Sequence, residues 1–257
     1  TARPLSLDIG GIEAKTWGYV SNTGDAAIEA TAGDVLQVDI TNELPESPSI
    51  HWHGIALHNA ADGVPGMTQD PIEPGKSFSY VFKVPHGGTY FYHSHSGLQL
   101  DRGLHAPLIV RDPQDAEDQD VEWTIVLDDW VDGIQGTPDD ELDKLTGMGS
   151  GDHNGRMGMG DHHGTPDRVL GGDAGDVMYP HYLINGRIPR AHRTFNARPG
   201  DKARLRFINS GADTIFKVAL GGHRMTVTHT DGFPVQPLET ESIYLSMGER
   251  VDVEVPV

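Results

Sequence analysis

The sequence predicts an all-β protein made of two copies of one β-sandwich, and three observations carry that prediction. Glycine (32) and proline (17) are abundant, so turn formers punctuate the whole chain. No long stretch has apolar residues at helical spacing, whereas short runs alternate apolar and polar residues with a period of two. The chain also repeats itself, a signature that takes precedence over local assignments.

The repeat fixes the elements in order. "IEATAGDVLQVDITNEL" (28–44) and "TFNARPGDKARLRFINSG" (194–211) each run strand, Gly-Asp turn, alternating strand and Asn-containing loop. In the first copy Leu36, Val38 and Ile40 oppose Val35, Gln37 and Asp39; in the second Ala203, Leu205 and Phe207 oppose Lys202, Arg204 and Arg206. Both read as half-buried strands. Downstream, "DGVPGMTQDPIEPGKSFSYVFKV" (62–84) matches "DGFPVQPLETESIYLSMGERVDVEV" (231–255), each a DG-x-P turn, a polar stretch and a glycine turn feeding an alternating strand. Matching glycines stay about 170 residues apart, as expected of two sandwiches in tandem.

The acidic segment "RDPQDAEDQD" (111–120) marks the boundary, giving a first domain over 1–112 and a second over 113–257. Within the second, "GTPDDELDKLTGMGSGDHNGRMGMGDHHGTPDR" (136–168) reads as an irregular surface insertion, of a length that is usually functional or mobile. The first copy continues past "FSYVFKV" through "PHGGTYFYHSHSGLQLDRGLHAPLIV", two strands that close its sandwich, but the second stops at "VDVEVPV". Proteins avoid open edges of that kind, so the second sandwich is expected to be truncated and the biological polypeptide to be longer.

Charge and composition narrow the function classes. A net charge of −19, from 38 acidic and 19 basic residues, argues against nucleic acid or an anionic membrane as partner. No run of about eighteen apolar residues is present to span a bilayer. The opening "TARPLSLDIG" has no apolar signal core, so any export signal is expected to be removed or to lie outside this sequence. Cysteine is absent, which excludes disulfides, thiolate metal sites, iron–sulfur ligation and a cysteine nucleophile.

Histidine is where the sequence spends its chemistry. "SIHWHGIAL" (49–57) and "YFYHSHSG" (90–97) each hold a His-x-His pair. On a strand, residues i and i+2 face one side about 6.6 Å apart, so His51 and His53 point away from Trp52, and His93 and His95 away from Ser94. Four converging imidazoles would repel if protonated and would need partners for every nitrogen if neutral; a metal ion satisfies both. Imidazole suits copper, zinc, nickel and non-haem iron alike, and the competing reading is of ordinary strand histidines with satisfied hydrogen bonds. In the insertion, Met148, His153, Met157, Met159, His162 and His163 cluster among glycines. Thioethers with imidazoles select Cu(I), against the alternative of a glycine-spaced loop with incidental methionines.

The text "HWHGIALHNAADGVPGMTQDPIEPGKSFSYVF" followed by "GTYFYHSHSGLQLDRGLHAPLIV" resembles the first cupredoxin domain of the multicopper oxidases, the family of laccases, cuprous oxidases and copper-resistance oxidases, over most of residues 28–112. The resemblance implies tandem cupredoxin-like Greek-key sandwiches, the second being the family's copper-free middle domain. It implies an exported enzyme, periplasmic, cell-surface or secreted. In such an enzyme a type 1 copper takes single electrons from a phenolic substrate or Cu(I) and passes them to a trinuclear cluster that reduces O₂ to water. By motif position His51 would bind the type 2 copper and His53, His93 and His95 the type 3 pair. Asp62, in "ADGVPG", falls where the family keeps a proton-relaying acid, although an Asp-Gly pair is also an ordinary turn former. The family's remaining ligands come from a His-Cys-His motif and a further His-rich motif, and with no cysteine here this chain would hold only half of the cluster and be inactive alone. A third cupredoxin domain or a partner subunit is implied, and a copper-binding or copper-tolerance protein without turnover is the alternative. His58, His86 and His105 are read as surface groups or as supports of the ligands; His181, His192, His223 and His229 receive no site.

Overall fold

The computed structural model describes residues 1–24, 26–115, 119–146 and 177–257. The insertion residues Met148, His153, Met157, Met159, His162 and His163 lie outside the described residues. The architecture is all-β. A hairpin of β1 (Ala2–Asp8) and β2 (Glu13–Tyr19) opens the chain. The first sandwich contains β3 (Ile28–Thr31), β4 (Val35–Thr41), β5 (His51–His53), β6 (Ser77–Lys83), β7 (Gly88–His93) and β8 (His105–Arg111). One of its sheets has the order β3-β8-β7-β5, and β4 pairs with β6 in the other. Trp52, Tyr80, Phe82, Tyr90, Tyr92 and Leu108 fill the space between them.

The second sandwich follows with β9 (Val121–Trp130), the helix α1 (Pro138–Thr146), β10 (His181–Ile184), β11 (Lys202–Asn209), β12 (Phe216–Val218), β13 (Met225–Thr230), β14 (Phe233–Thr240), β15 (Ile243–Leu245) and β16 (Arg250–Pro256). Its larger sheet runs β10-β9-β11-β16-β13-β14, and β12 pairs with β15. The repeat is visible in the pairing, because β4 lies antiparallel to β6 as β11 does to β16.

Two expectations need correction. The insertion is not irregular throughout: α1 occupies its start. Thr137 caps that helix, its hydroxyl accepting from the Asp140 N–H at 3.2 Å while the Asp140 carboxylate accepts from the Thr137 N–H at 2.8 Å. This reciprocal cap, with Pro138 at the first helical position and acidic residues in the first turn, offsets the lack of a strong apolar stripe. Nor is β11 half-buried. Its apolar residues Ala203, Leu205 and Phe207 enter the core, but Arg204 and Arg206 are only 4% and 3% exposed. They lie against the first domain, where Arg206 Nη1 donates to Thr89 Oγ1 at 2.9 Å and both guanidiniums share Asp252 Oδ2 at 2.8 and 2.9 Å.

Candidate metal centre

The site begins with a three-residue strand. β5 pairs antiparallel with β7, placing His51 opposite His93, Trp52 opposite Tyr92 and His53 opposite Phe91. Alternation sends the Trp52 indole into the core, fully buried, with ring centroids 4.8 Å from Phe82 and 5.4 Å from Tyr92. That packing anchors a strand too short to hold itself, and it turns the flanking imidazoles to the opposite face. His51 and His93 lie with centroids 5.4 Å apart, as do His53 and His93. One ligand nitrogen from each of His51, His53 and His93 falls within 4.8 Å of the others. His95 follows the end of β7 and is exposed; its ring lies 5.4 Å from that of His51 and 6.1 Å from that of His93, at the rim of the group.

Backbone carbonyls orient the rings. His51 Nδ1 lies 2.8 Å from the Asp62 carbonyl and His93 Nδ1 2.9 Å from the Ser94 carbonyl. A carbonyl only accepts, so both Nδ1 atoms donate, which leaves Nε2 of each ring as the nitrogen available to a metal. His53 turns its Nδ1 toward His93 Nε2, 3.2 Å away. Carbonyl anchoring of this kind is how metal-binding imidazoles are held ready. Burial, then Arg250 and the neighbouring imidazoles, push His53 down to about 3. Burial likewise takes His93 down to about 4, against the opposing pull of the Ser94 carbonyl. Both rings are therefore neutral at pH 7, the form that binds metal.

Two glycines set the closest approaches. Gly63 has φ +75°, and a Cβ there would sit 1.7 Å from the Ile50 carbonyl oxygen, so only glycine lets the Asp62 turn lie on the strand that carries His51. The Asp62 carboxylate consequently stands 3.4 Å from His51 Nδ1 and remains partly exposed. Gly248 belongs to the second domain, and a Cβ on it would meet His53 Cε1 at 2.8 Å. Arg250 locks that contact, donating to the Gly248 carbonyl at 2.8 Å and the Thr89 carbonyl at 3.2 Å and pairing with Asp231 at 3.1 Å. Neither Gly248 nor Arg250 was marked by any sequence motif; the matching glycine turns of the repeat were the only hint.

The other histidines are placed as follows. His105 Nε2 pairs with Asp128 Oδ2 at 3.1 Å, His86 Nδ1 contacts the Tyr90 hydroxyl at 2.6 Å, and His58 is exposed. His229 lies against Arg204, and His181, His192 and His223 join no metal-holding group among the described residues. Chemically, the site offers a partly buried, all-nitrogen donor set with no thiolate, which fits copper or another imidazole-binding transition ion.

Comparison with known proteins names the group to which this geometry belongs. Two family models, both described as multicopper oxidase, match residues 5–115 and 122–256. The chain is 47% identical over 255 residues to "Multicopper oxidase MmcO" of Mycobacterium tuberculosis, covering 99% of this chain and 50% of that protein. It is 36% identical to "Copper resistance protein A" of Pseudomonas syringae pv. tomato, covering 87% of this chain and 39% of that one. A crystal structure of the multi-copper oxidase from Pseudomonas thermotolerans superposes with a TM-score of 0.77 at 27% identity, covering 100% of this chain and 56% of that chain. The chain thus spans about half the length of the curated relatives it matches, or less. With matches that take in both sandwiches and leave only the linker and the extreme ends aside, the chain belongs to the multicopper oxidase family, whose metal is copper.

Proposed function

We propose that this chain is the N-terminal two-domain part (1–112 and 113–257) of an exported, laccase-like multicopper oxidase. The whole protein would couple one-electron oxidation of a phenol or Cu(I) to four-electron reduction of O₂ to water. The carrying observation is the convergence of carbonyl-oriented imidazoles from β5 and β7 on one face, within reach of a shared ion. His51 is assigned to the type 2 copper, and His53, His93 and His95 to the type 3 pair. Relatives named copper resistance protein A and laccase support both classes of reducing substrate.

Copper bound here would supply one-electron redox chemistry and a place for oxygen to bind. The chain's own contribution is to hold the ligands and manage protons. Trp52 and the two carbonyls fix ring orientation, and Gly248 with Arg250 shields His53 from bulk solvent. Asp62, half in solvent and 3.4 Å from His51, is placed to pass protons between bulk water and water at the site. The type 1 copper and the remaining cluster ligands are assigned to a third cupredoxin domain or a partner subunit, since this chain has no cysteine. By itself the chain is inactive in this reading.

The test uses the full-length protein loaded with copper. It should show the intense blue absorption of a thiolate–copper site and consume O₂ with a phenol or Cu(I). Replacing His53 and His93 together by Ala should keep the blue colour, lower the copper content and cut O₂ consumption by about a hundredfold or more. Copper binding with no O₂ consumption would identify a copper-binding protein without turnover instead.

A further inference from the structure

Beside the histidines lies a cavity of about 440 Å³, with His53 and His93 on one wall and Asp101 and Tyr179 on another. Asp101 is out of place by ordinary rules. The residue is only 8% exposed, and no ion pair neutralises it among the described residues. Arg102, next in sequence, turns away to Asp132 at 3.4 Å and Asp139 at 2.5 Å and stacks over the Trp17 ring at 4.6 Å. What surrounds Asp101 is negative: Asp128 and Asp129 on β9, Asp132 just beyond it, and Asp213 and Glu141 along the same cavity. His105, on β8, is engaged by Asp128.

The hydrogen bonding is also one-sided. The Tyr179 hydroxyl donates to Asp101 Oδ2 at 3.1 Å, while Asp101 Oδ1 is buried with no hydrogen-bond partner among the described residues. A buried, unpaired carboxylate oxygen among like charges is costly, whereas the protonated acid carries no charge and can serve as a donor. Burial first, then Asp129 and Asp128, raise Asp101 to about 8, so it keeps its proton at pH 7. No hydrogen bond links Asp101 to His53 or His93 among the described residues, so it acts on their surroundings through water.

We infer that Asp101 is a proton-holding residue of the oxygen-reducing site, giving its carboxylic proton to water of the cavity it lines with His53 and His93 as oxygen is reduced. This rests on the oxidase reading above. The balance is simple: the O–H bond of the carboxylic acid breaks, the proton joins oxygen being reduced by electrons from the reducing substrate, and the carboxylate left behind is reprotonated from solvent. Tyr179 positions the acid by donating to Oδ2, while Asp101 as a residue lines the cavity.

The experiment follows reoxidation of the fully reduced, copper-loaded, full-length protein by O₂ from about pH 6 to about pH 9. The wild-type rate should hold below about 8 and fall above it. Asp101→Asn should reoxidise about ten- to a hundredfold more slowly below that point and lose the fall, with copper content unchanged, and Asp101→Glu should recover most of the rate. Tyr179→Phe removes a donor that favours the carboxylate, so its fall should move to higher pH; it also serves as the test should Asp101→Asn not fold. An independent readout is the infrared carbonyl band of a protonated carboxylic acid. It should be present at pH 7, titrate near 8 and vanish in Asp101→Asn but not in Asp62→Asn. A wild-type rate and pH profile in Asp101→Asn, an unmoved profile in Tyr179→Phe, or the absence of an Asp101-dependent acid band overturns the inference. A full-length protein that never reduces O₂ sinks the oxidase reading and the transfer step with it, while the infrared titration separately decides whether Asp101 holds the proton.

Discussion

β4 and β11 occupy the same place in the repeat, each antiparallel to the strand that follows its glycine turn, yet their polar faces meet opposite fates. On β4 that face is open: Val35 is 68% exposed and Gln37 and Asp39 are solvated. On β11 it is sealed beneath β7, and Arg204 and Arg206 survive burial only because Asp252, Asp115 and Glu122 neutralise them. The lesson is that alternation identifies the apolar side of a strand but is silent about what covers the other side. The same covering surface borders the candidate metal centre. The outward face of β7 runs from Thr89, in the ionic network, through Phe91, stacked on His53, to His93. Docking of the second domain on Thr89 is therefore what brings Gly248 and Arg250 over His53 and helps to hold that imidazole neutral.

The comparison can be broken most forcefully at Asp252, which is 1% exposed and joins Arg204, Arg206 and Thr89. Asp252→Ala removes the carboxylate that two buried guanidiniums share, leaving Arg204 to Asp115 and Arg206 to Glu122, and should cost about 3 kcal/mol in denaturant unfolding. A loss below about 1 kcal/mol would mean that the polar face of β11 is as wet as that of β4.

A smaller, pH-dependent effect is expected at Asp101, on the same covered side of the molecule. Its folded-state value, raised to about 8, makes the acid form contribute stability in full below the ordinary carboxylate range; that contribution is lost as pH climbs toward about 8. Wild type should thus lose about 1 kcal/mol or more relative to Asp101→Asn across that window, with no further divergence above it. Paired unfolding curves at several pH values would show a flat difference if Asp101 were ionised throughout.

The smallest effect sharpens the other side of the comparison. Val35→Thr on the open face of β4 should shift stability by no more than about 0.5 kcal/mol. A larger loss would show that this face is covered too.

Much of this was legible from residue order. The repeat, the strand alternation, the Gly-Asp and DG-x-P turns and the His-Trp-His and His-Ser-His spacing are local properties, set by the two-residue period of a strand and by glycine's backbone freedom. The Thr137 cap of α1 was equally local, and the Thr-Pro-Asp-Asp start could have revealed it. Not legible were the burial of Arg204 and Arg206, the approach of Gly248 to His53, or the carboxylates gathered around Asp101, because each joins residues far apart in the chain. Sequence alone thus determined the fold class, the family resemblance and which imidazoles share a face. Only the tertiary structure decided which faces lose water, and desolvation is what turns those side chains from surface groups into neutral imidazoles, a locked ion cluster and an acid with a raised proton affinity.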